Sequence, residues 1–193
     1  MSVTVARGTE AFCLLIQRQR FSDIAAGADL KYVPNVQSGG YRAVPLKELH
    51  PWGPGTTPTT ATVSSVHCED MRLDLASERP TFIYFWATWC GPCKAFIREL
   101  GKLDSDTFLQ GTRVLGINLD RDCATFRDAY SRLRPLGEQY WDTGWRGELS
   151  QRFRIHRRGI PSGVWIGYDG NVVRITTGSD SLLVMLKEIA VKP

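Results

Sequence analysis

A chain of 193 residues, 42% of them hydrophobic, is long enough to bury one sizeable core and carry an extension. Its net charge of +4 arises wholly in residues 80–193, since residues 1–79 balance eight basic against eight acidic side chains. So small and dispersed an excess excludes nucleic acid as a partner, and no apolar run is long enough to span a membrane.

Arg7, Arg18 and Arg20 near the start, with Ser and Thr around them, fit a mitochondrial presequence. Glu10 and Asp23 fit instead an ordinary amphipathic helix over residues 8–20, ending near Ala25-Ala26-Gly27, and the cytoplasm is then the alternative location. The apolar run at residues 11–16 is too short for a secretory leader. Residues 31–60 turn to Pro, Gly and Thr, a composition that builds no periodic structure, so residues 1–60 read as an N-terminal arm. Tyr32, Tyr41, Leu46, Leu49 and Trp52 give that arm apolar anchors, for packing on its own domain or docking on a partner assembly.

A second region, residues 61–193, alternates strands and helices. Short alternations at 61–66 and 71–75 read as strands, with His67-Cys68 between them as structural residues. The run Pro80-Thr81-Phe82-Ile83-Tyr84 leads as a strand into Phe85-Trp86-Ala87-Thr88-Trp89-Cys90-Gly91-Pro92-Cys93-Lys94. Pro92 presets the first turn of a helix that ends near Asp104-Ser105, with Phe96, Leu100 and Leu103 on one face. A buried strand follows at 113–120, then a helix from an Asp122 cap to Leu133 with Phe126, Tyr130 and Leu133 on its inner face. A short strand at 139–142 and a helix at 147–153 come next. Strands at 163–168 and 171–176 join at Asp169-Gly170 as a hairpin, and a helix over 181–191 buries Leu182, Leu183, Leu186 and Ile189. The expected class is α/β, a central mixed sheet flanked by helices.

Cys90 falls at a helix N-terminus, where unpaired backbone N–H groups and the helix dipole stabilise a thiolate and make it the nucleophile. Cys93, three residues on, lies beside it, near enough to close a small disulfide and shielded enough to act as the resolving thiol. The competing chemistry for Cys-x-x-Cys is a zinc half-site, which needs a second ligand pair. Cys13, Cys68, Cys123, His50, His67 and His156 show no paired spacing, so no metal is expected, and haem attachment would need His where Lys94 stands. No other cofactor is called for. Five irregularly spaced cysteines do not form a disulfide framework, and the odd count favours a compartment where structural thiols stay reduced while one pair cycles.

Trp89-Cys90-Gly91-Pro92-Cys93, preceded by Phe85-Trp86-Ala87, resembles the active site of the thioredoxin superfamily. The resemblance covers about residues 61–193, and the helix and strand between Asp122 and Trp141 look like the insertion of redoxin-type proteins and of the thioredoxin-like reductases of cytochrome c maturation. It implies that Arg158-Gly159-Ile160-Pro161-Ser162 is the loop with a cis proline facing the cysteines, leaving a backbone edge at Gly159 and Ile160 to pair with an extended substrate. Trp89, Gly91, Pro92, Ile160 and Pro161 would then contact substrate, and Cys90 and Cys93 would carry the chemistry. Tyr84 stands where thioredoxin has a buried acid, Gly116 where it has a lysine, and Phe96 and Arg98 replace its glutamate and helix-kinking proline, which puts rate and potential in question rather than the sulfur pair itself.

The function implied is thiol–disulfide oxidoreductase, exchanging electrons with a disulfide-containing protein substrate and a reductase partner. The arginines at 146, 152, 154, 157 and 158 would make the rim basic and favour an acidic partner. The alternative is an accessory subunit of a large assembly, anchored by residues 1–60, with a structural or redox-sensing role. A peroxidase of the peroxiredoxin kind fits less well, since those enzymes use a lone cysteine after Thr or Ser.

Overall fold

The computed structural model describes residues 30–35, 40–45, 50–77, 79–103 and 111–190. The expected helix over residues 8–20, the anchors Leu46 and Leu49, Cys13 and the end of the active-site helix at Asp104-Ser105 lie outside these residues. The chain divides into two compact units, Met1–His50 and Pro51–Pro193.

In the first unit, β1 (Leu30–Asn35) and β2 (Gly40–Pro45) form an antiparallel ribbon, Leu30 opposite Pro45 and Asn35 opposite Gly40. Periodic structure was not expected here. Tyr, Val and Ala interleave with the turn formers, and in a two-stranded ribbon each strand is an edge, so Pro34 has a place despite its missing N–H.

The second unit is built on one mixed sheet. Among the described residues its strands are β3 (Thr60–Ser64), β4 (Asp70–Asp74), β5 (Thr81–Trp86), β6 (Arg113–Asn118), β7 (Glu138–Trp141), β8 (Ser162–Ile166) and β9 (Val172–Thr177). They lie in the order β4-β3-β7-β6-β5-β8-β9. β5, β6 and β7 run parallel; β8 and β9 add antiparallel on one side, β3 and β4 on the other. The β3–β4 hairpin joins the rest of the sheet through a single residue pair, Ser64 opposite Trp141.

β5 is buried along its whole length, as a central strand covered on both faces must be. Its alternation divides the core: Phe82, Tyr84 and Trp86 point to one face, Ile83 and Phe85 to the other. On the first face pack α1 (Gly91–Lys102), α2 (Cys123–Leu133) and α5 (Ser179–Ala190), through Phe96, Ile97 and Leu100, Phe126 and Ala129, and Leu182, Met185 and Leu186. On the second lie α3 (Glu148–Arg152) and α4 (Ile155–Arg158), through Leu149 and Ile155, with Phe153 between them. Each such buried Leu, Ile, Phe or Met side chain contributes about 1.5–3 kcal/mol.

Three sequence expectations shift. Tyr130, assigned to the inner face of α2, is 38% exposed, its ring 6.4 Å from that of Phe126; Ala129 takes the inward position. Trp52, assigned to the arm, is buried in the second unit, 5.2 Å from the Phe153 ring and beneath the Arg152 guanidinium. The helix expected at 147–153 spans Glu148–Arg152, and a second short helix that was not expected, Ile155–Arg158, follows it past Arg154, whose φ of 55° interrupts the helical path. Among the described residues, no helix is long and apolar enough to cross a membrane.

Candidate active site

The strand β5 delivers the chain into a turn at Ala87–Cys90, where Cys90 N–H donates to Ala87 O at 3.1 Å and caps α1 with extended backbone, φ −86° and ψ 100°. Pro92 occupies the first turn, so the helix starts without an N–H it could not use. Cys90 Sγ accepts the Cys93 N–H at 3.1 Å, and no acidic residue lies in the first turn to offset the positive end of the helix. Cys90 and Cys93 form a disulfide, Cα atoms 5.2 Å apart. Cys93 is fully buried and Cys90 is 5% exposed, so Cys90 is the sulfur a second molecule reaches first.

Opposite lies the loop at 159–161. The Ile160–Pro161 peptide is cis, and the Ile160 carbonyl oxygen stands 3.8 Å from Cys90 Sγ. The loop is pinned from behind: Ser162 Oγ donates to Gly159 O at 2.7 Å, and Gly178 N–H donates to Pro161 O at 2.9 Å. Gly159 does not form part of the open backbone edge expected with Ile160, because its N–H already bonds Ile155 O at 2.9 Å. The Ile160 N–H has no partner among the described residues. Trp89 is 57% exposed beside Cys90, its ring 6.1 Å from that of Trp145. Gly91 and Pro92 are exposed, and the Pro92 carbonyl accepts the Ser179 hydroxyl at 3.1 Å. Thus the two segments named from sequence, 89–93 and 160–161, meet across the Cys90 sulfur.

Three residues the sequence reading passed over complete the surroundings. Asp120, buried two residues past the end of β6, accepts the Thr88 N–H at 3.1 and 3.2 Å, the Thr88 hydroxyl at 2.8 Å and the Asn118 amide at 2.8 Å, and so fixes the turn before Cys90. A polar pair, Asn118 and Asp120, ending an otherwise apolar strand was its signal. Gln139 fills the space beside Gly116: its Oε1 accepts Trp86 Nε1 at 3.2 Å, and its Nε2 donates to Tyr84 Oη and Leu136 O, each at 2.8 Å. Tyr84 in turn donates to Leu136 O at 2.8 Å, and burial holds its phenol far above the ordinary range, so it stays protonated. The position of the missing acid is therefore neutral and hydrogen-bonded. Trp145, which extends the apolar surface from Trp89, had no signal beyond its residue type.

Two sequence expectations are corrected here. Cys68 and Cys123 are bonded to each other across 55 residues of chain, so they are not the reduced structural thiols expected, and the count of cysteines carries no argument for a reducing compartment. Their spacing concealed this because the sheet topology, not the local sequence, brings the β3–β4 turn to the start of α2. Arg152 does not belong to the basic rim: it pairs with Glu148 at 2.8 Å and covers Trp52. Arg146, Arg154, Arg157 and Arg158 are exposed and make no ion pair among the described residues. Among those residues no group of three or more His, Cys, Asp or Glu side chains could hold a metal ion.

A family profile described as thioredoxin-like matches residues 78–172. The Arabidopsis thaliana protein "Probable nucleoredoxin 1" is 27% identical over 106 residues, 54% of this chain and 18% of that protein. Thioredoxin 1 of Chlorobaculum tepidum is 44% identical over 61 residues, 32% of this chain and 55% of its own. The chain spans no more than a fifth of the length of the nucleoredoxins of Arabidopsis thaliana and Oryza sativa that it matches, 18% and 20%. Among solved structures, a thiol-disulfide oxidoreductase from Bacteroides fragilis superposes with a TM-score of 0.57 at 22% identity, over 69% of this chain and 99% of that one.

Proposed function

Because the chain belongs to the thioredoxin-like superfamily, we propose that it is a thiol–disulfide oxidoreductase whose working pair is Cys90 and Cys93. The observation that carries this reading is the meeting of three features at one sulfur: the Cys93 N–H at 3.1 Å, the uncompensated helix end, and the Ile160 carbonyl at 3.8 Å on the opposite side. In the dithiol form the first two hold Cys90 as thiolate. That thiolate attacks a substrate disulfide, forming a mixed disulfide and releasing one substrate thiolate. Cys93 then attacks Cys90 Sγ, freeing the second substrate thiol and closing the Cys90–Cys93 bond, which a reductase partner reopens with two electrons and two protons.

The substrate is a protein segment in extended form. The unpartnered Ile160 N–H offers it one backbone hydrogen bond, Trp89 with Trp145 offers an apolar surface, and Arg146, Arg154, Arg157 and Arg158 favour acidic side chains on it. Reduction of insulin by dithiol-charged protein tests the reading. The wild-type chain is expected to turn over and Cys90→Ser to fall to background, while Cys93→Ser retains substrate as a mixed disulfide. Equal turnover by wild type and Cys90→Ser removes Cys90 from the chemistry.

A second reading, an accessory subunit held in a large assembly by residues 1–60, draws on the separate compact unit at Met1–His50 and on the neutral Tyr84–Gln139 pair. Deleting residues 1–50 distinguishes the two: full insulin reduction with no loss from any complex removes the scaffold reading.

A further inference from the structure

The Cys68–Cys123 disulfide involves neither cysteine of the pair just described, and its two ends differ in exposure. Cys68 is exposed on the β3–β4 turn, whereas Cys123 is 8% exposed under the first turn of α2. Cys68 also holds a left-handed backbone, φ 67°, in a turn closed by its own N–H on Ser65 O at 3.0 Å and by Ser65 N–H on Glu69 O at 2.8 Å. At the other end, Cys123 is the first residue of an 11-residue helix, whose positive end stabilises a departing thiolate there. The neighbouring Asp122 carboxylate opposes this in part, but it is turned to the N–H and hydroxyl of Thr125 at 2.8 and 2.9 Å.

We propose that Cys68–Cys123 is a second thiol–disulfide exchange site, opened by a low-molecular-weight thiol that attacks Cys68. The incoming thiolate bonds to Cys68 Sγ, the Cys68–Cys123 bond breaks, and Cys123 leaves as thiolate and takes a proton from water. A second thiol then attacks the outer sulfur of the mixed disulfide, releasing the small-molecule disulfide and leaving Cys68 reduced. Two thiols are oxidised and one protein disulfide is reduced, so electrons and protons balance. The asymmetry sets the direction of attack: the sulfur of the exposed residue, Cys68, is the one met, and that of the buried residue at the helix end, Cys123, is the one expelled. Opening releases the β3–β4 turn from α2, while the hairpin itself stays held by the Ser64–Trp141 pairing, by Arg113 on Asp74 O and by Ala61, Val63 and Leu73 in the core.

The full chain carrying Cys13→Ser, Cys90→Ser and Cys93→Ser isolates this pair, so the outcome does not depend on the proposed activity of Cys90. Incubated oxidised with reduced glutathione, then acid-quenched, alkylated and mapped by peptide mass, it is expected to carry glutathione on Cys68 about tenfold more than on Cys123, with its near-ultraviolet circular dichroism retained. Glutathione favouring Cys123, or a pair that opens only after denaturant is added, overturns the proposal. The wild-type chain, mapped in the same way, supplies the answer if the triple variant does not fold: Cys68 must again be the glutathionylated end. In Cys123→Ser, oxidised glutathione is expected to modify Cys68 in the folded protein, and a Cys68 that stays unmodified likewise overturns it.

Discussion

Gly116 sits on a buried strand, and the Gln139 amide occupies the space a side chain there would need. A Cβ at 116 would fall within that amide, which cannot swing away without giving up Trp86 Nε1, Tyr84 Oη and Leu136 O. Gly116→Ala is therefore expected to lower stability by about 1–3 kcal/mol in urea unfolding, from overpacking and from polar groups left unpaired. Gln139→Ala should cost a similar amount, and the double variant less than the sum of the two, because both act on one space. The sequence showed half of this: Tyr84 and Gly116 stood out as departures beside the sulfur pair. Gln139 did not, since a polar residue in a four-residue strand looks like an ordinary edge position until the parallel pairing of β6 and β7 sets it against Gly116.

Between elements, Arg113 at the start of β6 forks onto Glu138 at the start of β7, with bonds of 2.8 and 3.0 Å, and reaches Asp74 O at the end of β4 at 2.7 Å. The hydrogen bonds from Arg113 hold the Glu138 carboxyl below the usual carboxylate range, and burial with the Glu138 bond pushes the Tyr140 phenol up to about 12. Because the folded carboxyl is the more acidic, its contribution is complete above the unfolded value near 4.3 and is lost as pH falls through the lower folded value. Glu138→Gln is expected to lose no more than about 1 kcal/mol at pH 7, since the pair is partly exposed, and the difference from wild type is expected to be smaller at about pH 3, below the unfolded value. Chemical denaturation at the two pH values checks it. Elements whose signals are local were readable in advance: the Asp122 cap, which accepts Thr125 N–H at 2.8 Å, the apolar β5, and the Asp169-Gly170 hairpin, where Gly170 takes φ 73°. The β1–β2 ribbon was not, because its Pro and Gly residues carry turn signals while the pairing that decides its structure lies across the ribbon.

For the molecule as a whole, composition placed the start of the foldable domain at residue 61, ten residues inside the second unit. The intervening stretch is stitched to distant chain: Trp52 N–H donates to Arg152 O, Gly55 N–H to Val172 O and Val172 N–H to Thr56 O, each at 2.8 Å. Trp52 itself fills the lower core against Phe153, and removing such a buried indole costs about 3–5 kcal/mol. A fragment of residues 51–193 is expected to melt about 10 °C above one of residues 61–193 in calorimetry, and equal melting would show that the stitching carries no weight. The same long-range character hid the Cys68–Cys123 bond from the sequence. A stretch of Pro, Gly and Thr thus works as a hem: it finishes the raw border of β9 where that strand begins, at Val172, and closes the floor beneath Phe153, so whoever trims this protein by its composition cuts into cloth rather than fringe.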